Sequence, residues 1–235
     1  MNRIFALSAN DFRMVFRDPM LRIFLFLPLL IVALVVWLLP VLFSAYPILQ
    51  DYDYVILMWA GMQASTMFGF INGFVFLEEK DENVFAALRV MPIAASTLIS
   101  VRMLLGVSIA FAINVTIFSL SSWIPMSGAQ LLLVAFQYAL LAPLLTLALA
   151  TFAQNKVEGL AQFKIYNFVA MLPALIYFLP IRALHVLAIV PTYWTFRSVE
   201  AIHSDGSFFL FISIGFVGYL IVLGGLVRIF EQRVF

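Results

Sequence analysis

The chain has 235 residues, of which 65% are hydrophobic and 11% charged, with a mean hydropathy of +1.09 and a net charge of +1. A soluble domain is about half apolar and a quarter charged, so a chain of this composition needs lipid as solvent. Without cysteine there is no disulfide framework, thiol nucleophile or thiolate metal site, and no basic stripe suits nucleic acid.

The first twenty residues are amphipathic. Phe5, Ala9, Phe12 and Phe16 recur at helical steps, with Arg13 and Arg17 beside them. That pattern predicts a helix over 1–19 lying at a membrane interface, ended by Pro19. Six apolar runs follow: Ile23–Ser44, Tyr54–Phe76, Met103–Leu120, Ala129–Phe152, Ile165–Leu179 and Phe208–Val227. A helix needs ~20 apolar residues to cross a hydrocarbon core of ~30 Å, so these are six predicted spans in one transmembrane domain over 1–235. The first run lies too far from the N-terminus, and is too long, for a typical signal peptide. Six crossings put both termini on one side. Eleven of the thirteen Lys and Arg residues then fall on that side, leaving only Arg182 and Arg197 opposite, so the positive-inside rule makes the termini cytoplasmic in a plasma-membrane protein.

Between spans two and three, residues 77–102 form a cytoplasmic segment with Glu78, Glu79, Asp81 and Glu82 at its head. Val84, Leu88 and Met91 recur on one face with Phe85 beside them, and Arg89 follows. The expectation is a short helix that ends before Pro92, with its carboxylates at the positive N-terminal dipole and Arg89 near the other end. It is too short to span. Its acidic head would be repelled by an anionic leaflet, so a pocket on a partner protein suits its apolar face better than the membrane surface; a plain solvated loop is the other reading. Arg13 or Arg17 is expected to pair with Glu78 or Glu79. Beyond span five, residues 180–206 are too short and too mixed to cross, and two short helices joined near Pro191 and dipping into the outer leaflet are expected.

Chemistry is sparse. The sequence holds no G-x-x-x-x-G-K-[ST] loop, H-E-x-x-H or G-x-S-x-G, and His185 and His203 stand alone, so neither a nucleotide cradle, nor a metal site, nor an enzyme activity is expected of this chain. The six runs lack Asp, Glu, Lys, Arg and His, which argues against a proton-coupled carrier. Gly61, Ser65, Gly69 and Gly73 form a small-residue ridge suited to helix packing. Gln63, Met67 and Asn72 on span two, and Asn167, Met171 and Tyr177 on span five, are candidates for a mixed polar and apolar ligand path, though ordinary bundle packing explains each of them too. Asn114 and Gln137 are expected to hydrogen-bond between helices.

Four stretches in order carry a resemblance: the amphipathic N-terminus with Arg17–Pro19, "LPLL" at Leu27–Leu30, "LEEKDENVFAALRVMPIAASTLISVRM" at Leu77–Met103 and "LAIVPTYWTF" at Leu187–Phe196. Together they resemble the ABC-2 type permeases, the membrane subunits of one class of ABC exporters, and Asn155–Lys164, "NKVEGLAQFK", is similar to permeases of fluoroquinolone export. In this chain Ala94 and Ala95 intervene between Pro92-Ile93 and the Ser96 expected directly after them. The resemblance implies an all-α polytopic fold of the ABC-2, or type V exporter, kind, with a coupling helix between spans two and three and a re-entrant pair between spans five and six. It implies a dimer, with itself or a second permease, above two copies of a separate ATPase that binds ATP and Mg, and an amphipathic drug, peptide or lipid as substrate. Val84, Phe85, Leu88, Arg89 and Met91 would then dock on that ATPase. A stand-alone carrier or channel, or a non-transporting sensor or scaffold subunit, is the alternative.

Overall fold

The computed structural model describes residues 13–82, 95–121, 123–179, 181–204 and 206–234. The coupling residues Val84, Phe85, Leu88, Arg89 and Met91 lie outside that set, as do Phe5, Ala9 and Phe12. Among the described residues every regular element is helical, and six helices are long and apolar enough to cross a membrane.

A short helical turn at 13–17 leads into Asp18, whose carboxylate caps the next helix by accepting from the Met20 and Leu21 amides at 2.8 and 3.3 Å. Helix α1 runs Pro19–Ala45. Pro40 has no N–H to offer, and just before it the helix widens into a π-turn at Leu34–Leu38, where the Leu39 amide bonds back to Leu34. Beyond the turn, Phe43 meets the edge of Trp123 at 5.3 Å. Helix α2 follows a 3-10 turn and runs Asp53–Asp81; α3 is Ala95–Leu120. Helix α4 spans Gly128–Phe152, opened by a capping box between Ser127 and Gln130 and interrupted at Leu140. Pro143 explains the interruption, since it has no amide to bond the Ala139 carbonyl four residues back. Helix α5, Lys156–Met171, tightens into a 3-10 turn at Leu172–Tyr177 around Pro173. A 3-10 helix at Arg182–Ile189 and helix α6, Pro191–His203, form a hairpin, and α7 is Phe208–Val234.

Three of these boundaries differ from the sequence expectation, each for a local reason. Helix α2 does not stop at Phe76 but carries Glu78, Glu79 and Asp81 in its final turns. Those carboxylates therefore sit at a negative helix terminus rather than at the positive start of the next helix, and need cationic partners. Helix α5 starts at Lys156 rather than Ile165, because Asn155 accepts from the Glu158 amide at 3.0 Å and Glu158 accepts from the Gln154 amide at 2.9 Å. Helix α3 likewise begins before Arg102, placing that arginine inside a helix instead of a loop.

The core surrounds α2, the most buried span. Its small ridge faces α3 and α4. A Cβ on Gly61 would lie 2.9 Å from the Asn114 and Phe118 side chains, and one on Gly69 2.8 Å from the Ala142 carbonyl oxygen. Ser65 accepts from Asn114 at 2.8 Å, Thr146 donates to the Gly69 carbonyl at 3.1 Å, and a Cβ on Gly73 would lie 2.7 Å from Leu149. Close approach of backbones is what small residues permit between membrane helices. Gln137 of α4 donates to the Ile212 carbonyl of α7 at 3.0 Å. The start of α1, the ends of α2 and α4, and the start of α5 meet at one end of the bundle, called basal below. The hairpin closes the other end. Its tip is pinned by Trp194, which donates to the Ala188 carbonyl at 2.8 Å, and by Thr192, which donates to the Ala170 carbonyl of α5 at 2.7 Å; Pro191 faces Gly218, well inside α7.

Candidate functional site

Three successive residues in the last turns of α2 each hold a different helix at the basal end. Glu78 forms an ion pair with Lys156 of α5 at 3.1 Å, and Lys156 also reaches Asp18, the cap of α1, at 3.4 Å. Glu79 is gripped by both guanidinium nitrogens of Arg102 on α3, Nη2 donating to Oε1 at 2.6 Å and Nη1 to Oε2. Lys80 donates to the Ala153 carbonyl at the end of α4, at 3.0 Å. Arg102 further lies over the Phe76 ring, 5.2 Å from its centroid, and Phe76 meets Phe230 of α7 edge-on.

The two ion pairs differ in energy. Glu79 and Arg102 are each 5% exposed, and removing one member of a buried pair strands the other charge at a cost of ~3–5 kcal/mol. The Lys156 side chain is 35% exposed, so each of its contacts contributes ~1 kcal/mol or less. Burial acts to raise the Asp18 pKa, but the Leu21 and Met20 amides and Lys156 outweigh it, and the carboxyl titrates below the ordinary aspartate value.

The expected pairing of Arg13 or Arg17 with Glu78 or Glu79 is replaced by these partners. Both arginines are exposed, and among the described residues they make no ion pair with either glutamate. Sequence reasoning missed Arg102, Lys156, Asp18 and Lys80 as partners. Asp18 ahead of Pro19, and Asn155 with Glu158 three residues on, are helix-start signals that could have placed two of the four elements.

The candidate path residues do not share one site. Gln63 Oε1 accepts from Asn167 at 3.0 Å and from Thr66 at 3.2 Å, so α2 and α5 share an amide and hydroxyl cluster midway along the bundle. Towards the hairpin, Met171 joins Met58, Trp59, Met62, Phe178 and Phe196 around an apolar recess with about 210 Å³ of free space. Tyr177 donates to Glu200 at 3.1 Å and meets Tyr54 edge-on at 5.5 Å, while Tyr54 stacks on His203 and Tyr52 on Phe178. Glu200 also accepts from Arg197 at 2.6 Å. Met67 is half-buried. Asn72 stands apart: its amide lies where a Cβ on Gly106 would be, against α3 and away from α5. Among the described residues no group of three or more His, Cys, Asp or Glu is placed to hold a metal ion.

The family model described as "Fluoroquinolones export permease protein Rv2686c-like" matches residues 11–227. The chain belongs to that family. Two curated relatives, the fluoroquinolones export permease proteins MT2760 and Rv2686c of Mycobacterium tuberculosis strains CDC 1551 / Oshkosh and ATCC 25618 / H37Rv, are each 24% identical over 242 residues, covering 97% of this chain and 94% of the relative. No solved structure matches. The family assignment and the six spans together make this chain a multi-pass membrane permease of an export family.

Proposed function

We propose that this chain is the membrane subunit of an ATP-driven exporter, with hydrolysis on a separate ATPase. The observation that carries the reading is the basal end of α2, where Glu78, Glu79 and Lys80 tie α1, α3, α4 and α5 to a single helical turn. Residues 83–94 leave from that turn. A partner that pushed on them would move four helices at once, which is what a transmission element has to do.

In this reading two permease chains, identical or sister, sit above two ATPase subunits that bind ATP and Mg. Val84, Phe85, Leu88, Arg89 and Met91 dock on the ATPase. The termini and the basal end face the cytoplasm of a plasma-membrane protein, as the charge distribution favours. The hairpin is re-entrant from the outer leaflet, supported by the contacts of its tip with the last turn of α5 and with Gly218, ten residues into α7. The substrate is an amphipathic molecule with an aromatic portion, as the names of the relatives suggest and as the Met- and aromatic-lined recess beside Gln63 and Asn167 suits. The principal rival is a carrier that works alone, against which the ion-free middles of the spans count.

The test is reconstitution into vesicles with and without the ATPase found beside this permease in the cell, measuring fluoroquinolone efflux. ATP-dependent efflux that needs both chains, and that Leu88→Asp abolishes along with co-purification of the ATPase, is expected. Efflux by the permease alone, driven by an ion gradient, would overturn the reading.

A further inference from the structure

A second recess lies on the opposite flank of α5, outside the cluster just described. Its floor is α4, from Leu141 to Phe152. One wall is Tyr166, Val169 and Ala170 of α5, and the other is Val222 and Leu226 of α7. The tip of the hairpin, Ile189–Thr192, closes one end, and the free space is about 310 Å³. The floor residues Leu145 and Ala148 are buried, while Val169 is 38% exposed and Ile189 is 85% exposed, so the recess is open sideways to the surrounding lipid.

Three features say what fills it. The first is length. Leu141 to Phe152 is about 16 Å of helix at 1.5 Å per residue, against ~15 Å for half of a ~30 Å hydrocarbon core. The second is the roof: the hairpin tip, Ile189–Thr192, closes the groove at the end away from Phe152, so a tail that slides in from the side keeps its headgroup at the basal end. The third is charge. At the basal end Arg233 lies over the Phe152 ring, 5.1 Å from its centroid. A guanidinium there stands where a headgroup phosphate would be, and the ring beneath it is itself part of the groove.

We propose that this groove is a lipid site: one acyl chain of an anionic phospholipid from the basal leaflet lies along α4 between α5 and α7, with its phosphate at Arg233. The site makes α5 and α7 neighbours through a bound tail rather than through their own side chains. It rests on the membrane-spanning fold and not on the ATPase partnership, so it stands or falls separately from the proposed function.

Native mass spectrometry of the detergent-purified chain, delipidated and then titrated with phosphatidylglycerol or phosphatidylcholine, tests it. The wild type should retain one phosphatidylglycerol at loadings where phosphatidylcholine has dissociated. Val169→Trp, which fills the groove from its exposed wall, should abolish that retained lipid. Arg233→Gln, on an exposed side chain, should lower the preference for phosphatidylglycerol by about fivefold while leaving melting unchanged. Equal retention of both lipids in the wild type, or retention unaffected by both substitutions, would overturn the proposal. So would loss of a dimer rather than of a lipid in Val169→Trp, because the groove would then be covered by a second copy of the chain.

Discussion

The two ends of α2 are attached in opposite ways. At the basal end the ties are ionic and directional, and one of them is fully buried. At the hairpin end α2 meets α5 and α6 through rings: Tyr54 against Tyr177 and His203, Tyr52 against Phe178. A bidentate guanidinium–carboxylate pair has one good geometry, whereas aromatic faces and edges slide past one another at small cost. In the proposed function a push at the clamped end carries α1, α3, α4 and α5 along with α2, while the softly seated end shifts against its neighbours beside the recess lined by Trp59 and Met171.

Removing the buried pair should have the largest effect. Arg102→Ala should lower stability by ~3–5 kcal/mol, read as a large fall in melting temperature or in recovered protein, and Glu79→Arg with Arg102→Glu should recover part of it. If the single substitution melts like the wild type, the basal end is no clamp. A milder test is Lys156→Gln, which removes the link from α5 to Asp18 and Glu78. Stability should change by ~1 kcal/mol or less, yet efflux per ATP should drop, and raising ionic strength in the wild type should imitate part of the loss. Two further substitutions probe the soft end. Tyr177→Phe keeps the ring contact with Tyr54 and removes only the bond to Glu200, costing about 0.5–1.5 kcal/mol; Tyr54→Leu, which removes the rings' contact, should alter efflux more than melting.

How much of this could be read from the chain itself follows the range of the interactions. The six spans were legible because the solvent imposes them: a run such as Phe208–Val227 has no other stable home. Helix starts were legible in principle where a side chain caps its own backbone, as Asp18, Ser127 and Asn155 do. The end of α2 was not, because Glu78 and Glu79 look like loop residues until Lys156 and Arg102 arrive from elsewhere in the chain. The same holds for the path candidates. Gln63 and Asn167 do meet, but Asn72, on the same span as Gln63, turns to α3, and neither outcome is encoded in residue type. The ridge from Gly61 to Gly73 announced a close contact without naming the helices that fill it.

The π-turn in α1 has a bearing on how that helix tolerates change. A π-turn holds one residue more than an α-turn, so everything beyond Leu38 is rotated by about 100° from where uninterrupted winding would put it. Phe43 reaches Trp123 only because of that offset. Deleting a single residue from 34–38 would therefore let the helix wind regularly and leave Phe43 against Trp123, whereas regular winding with all five residues kept would swing Phe43 by that angle toward the acyl chains.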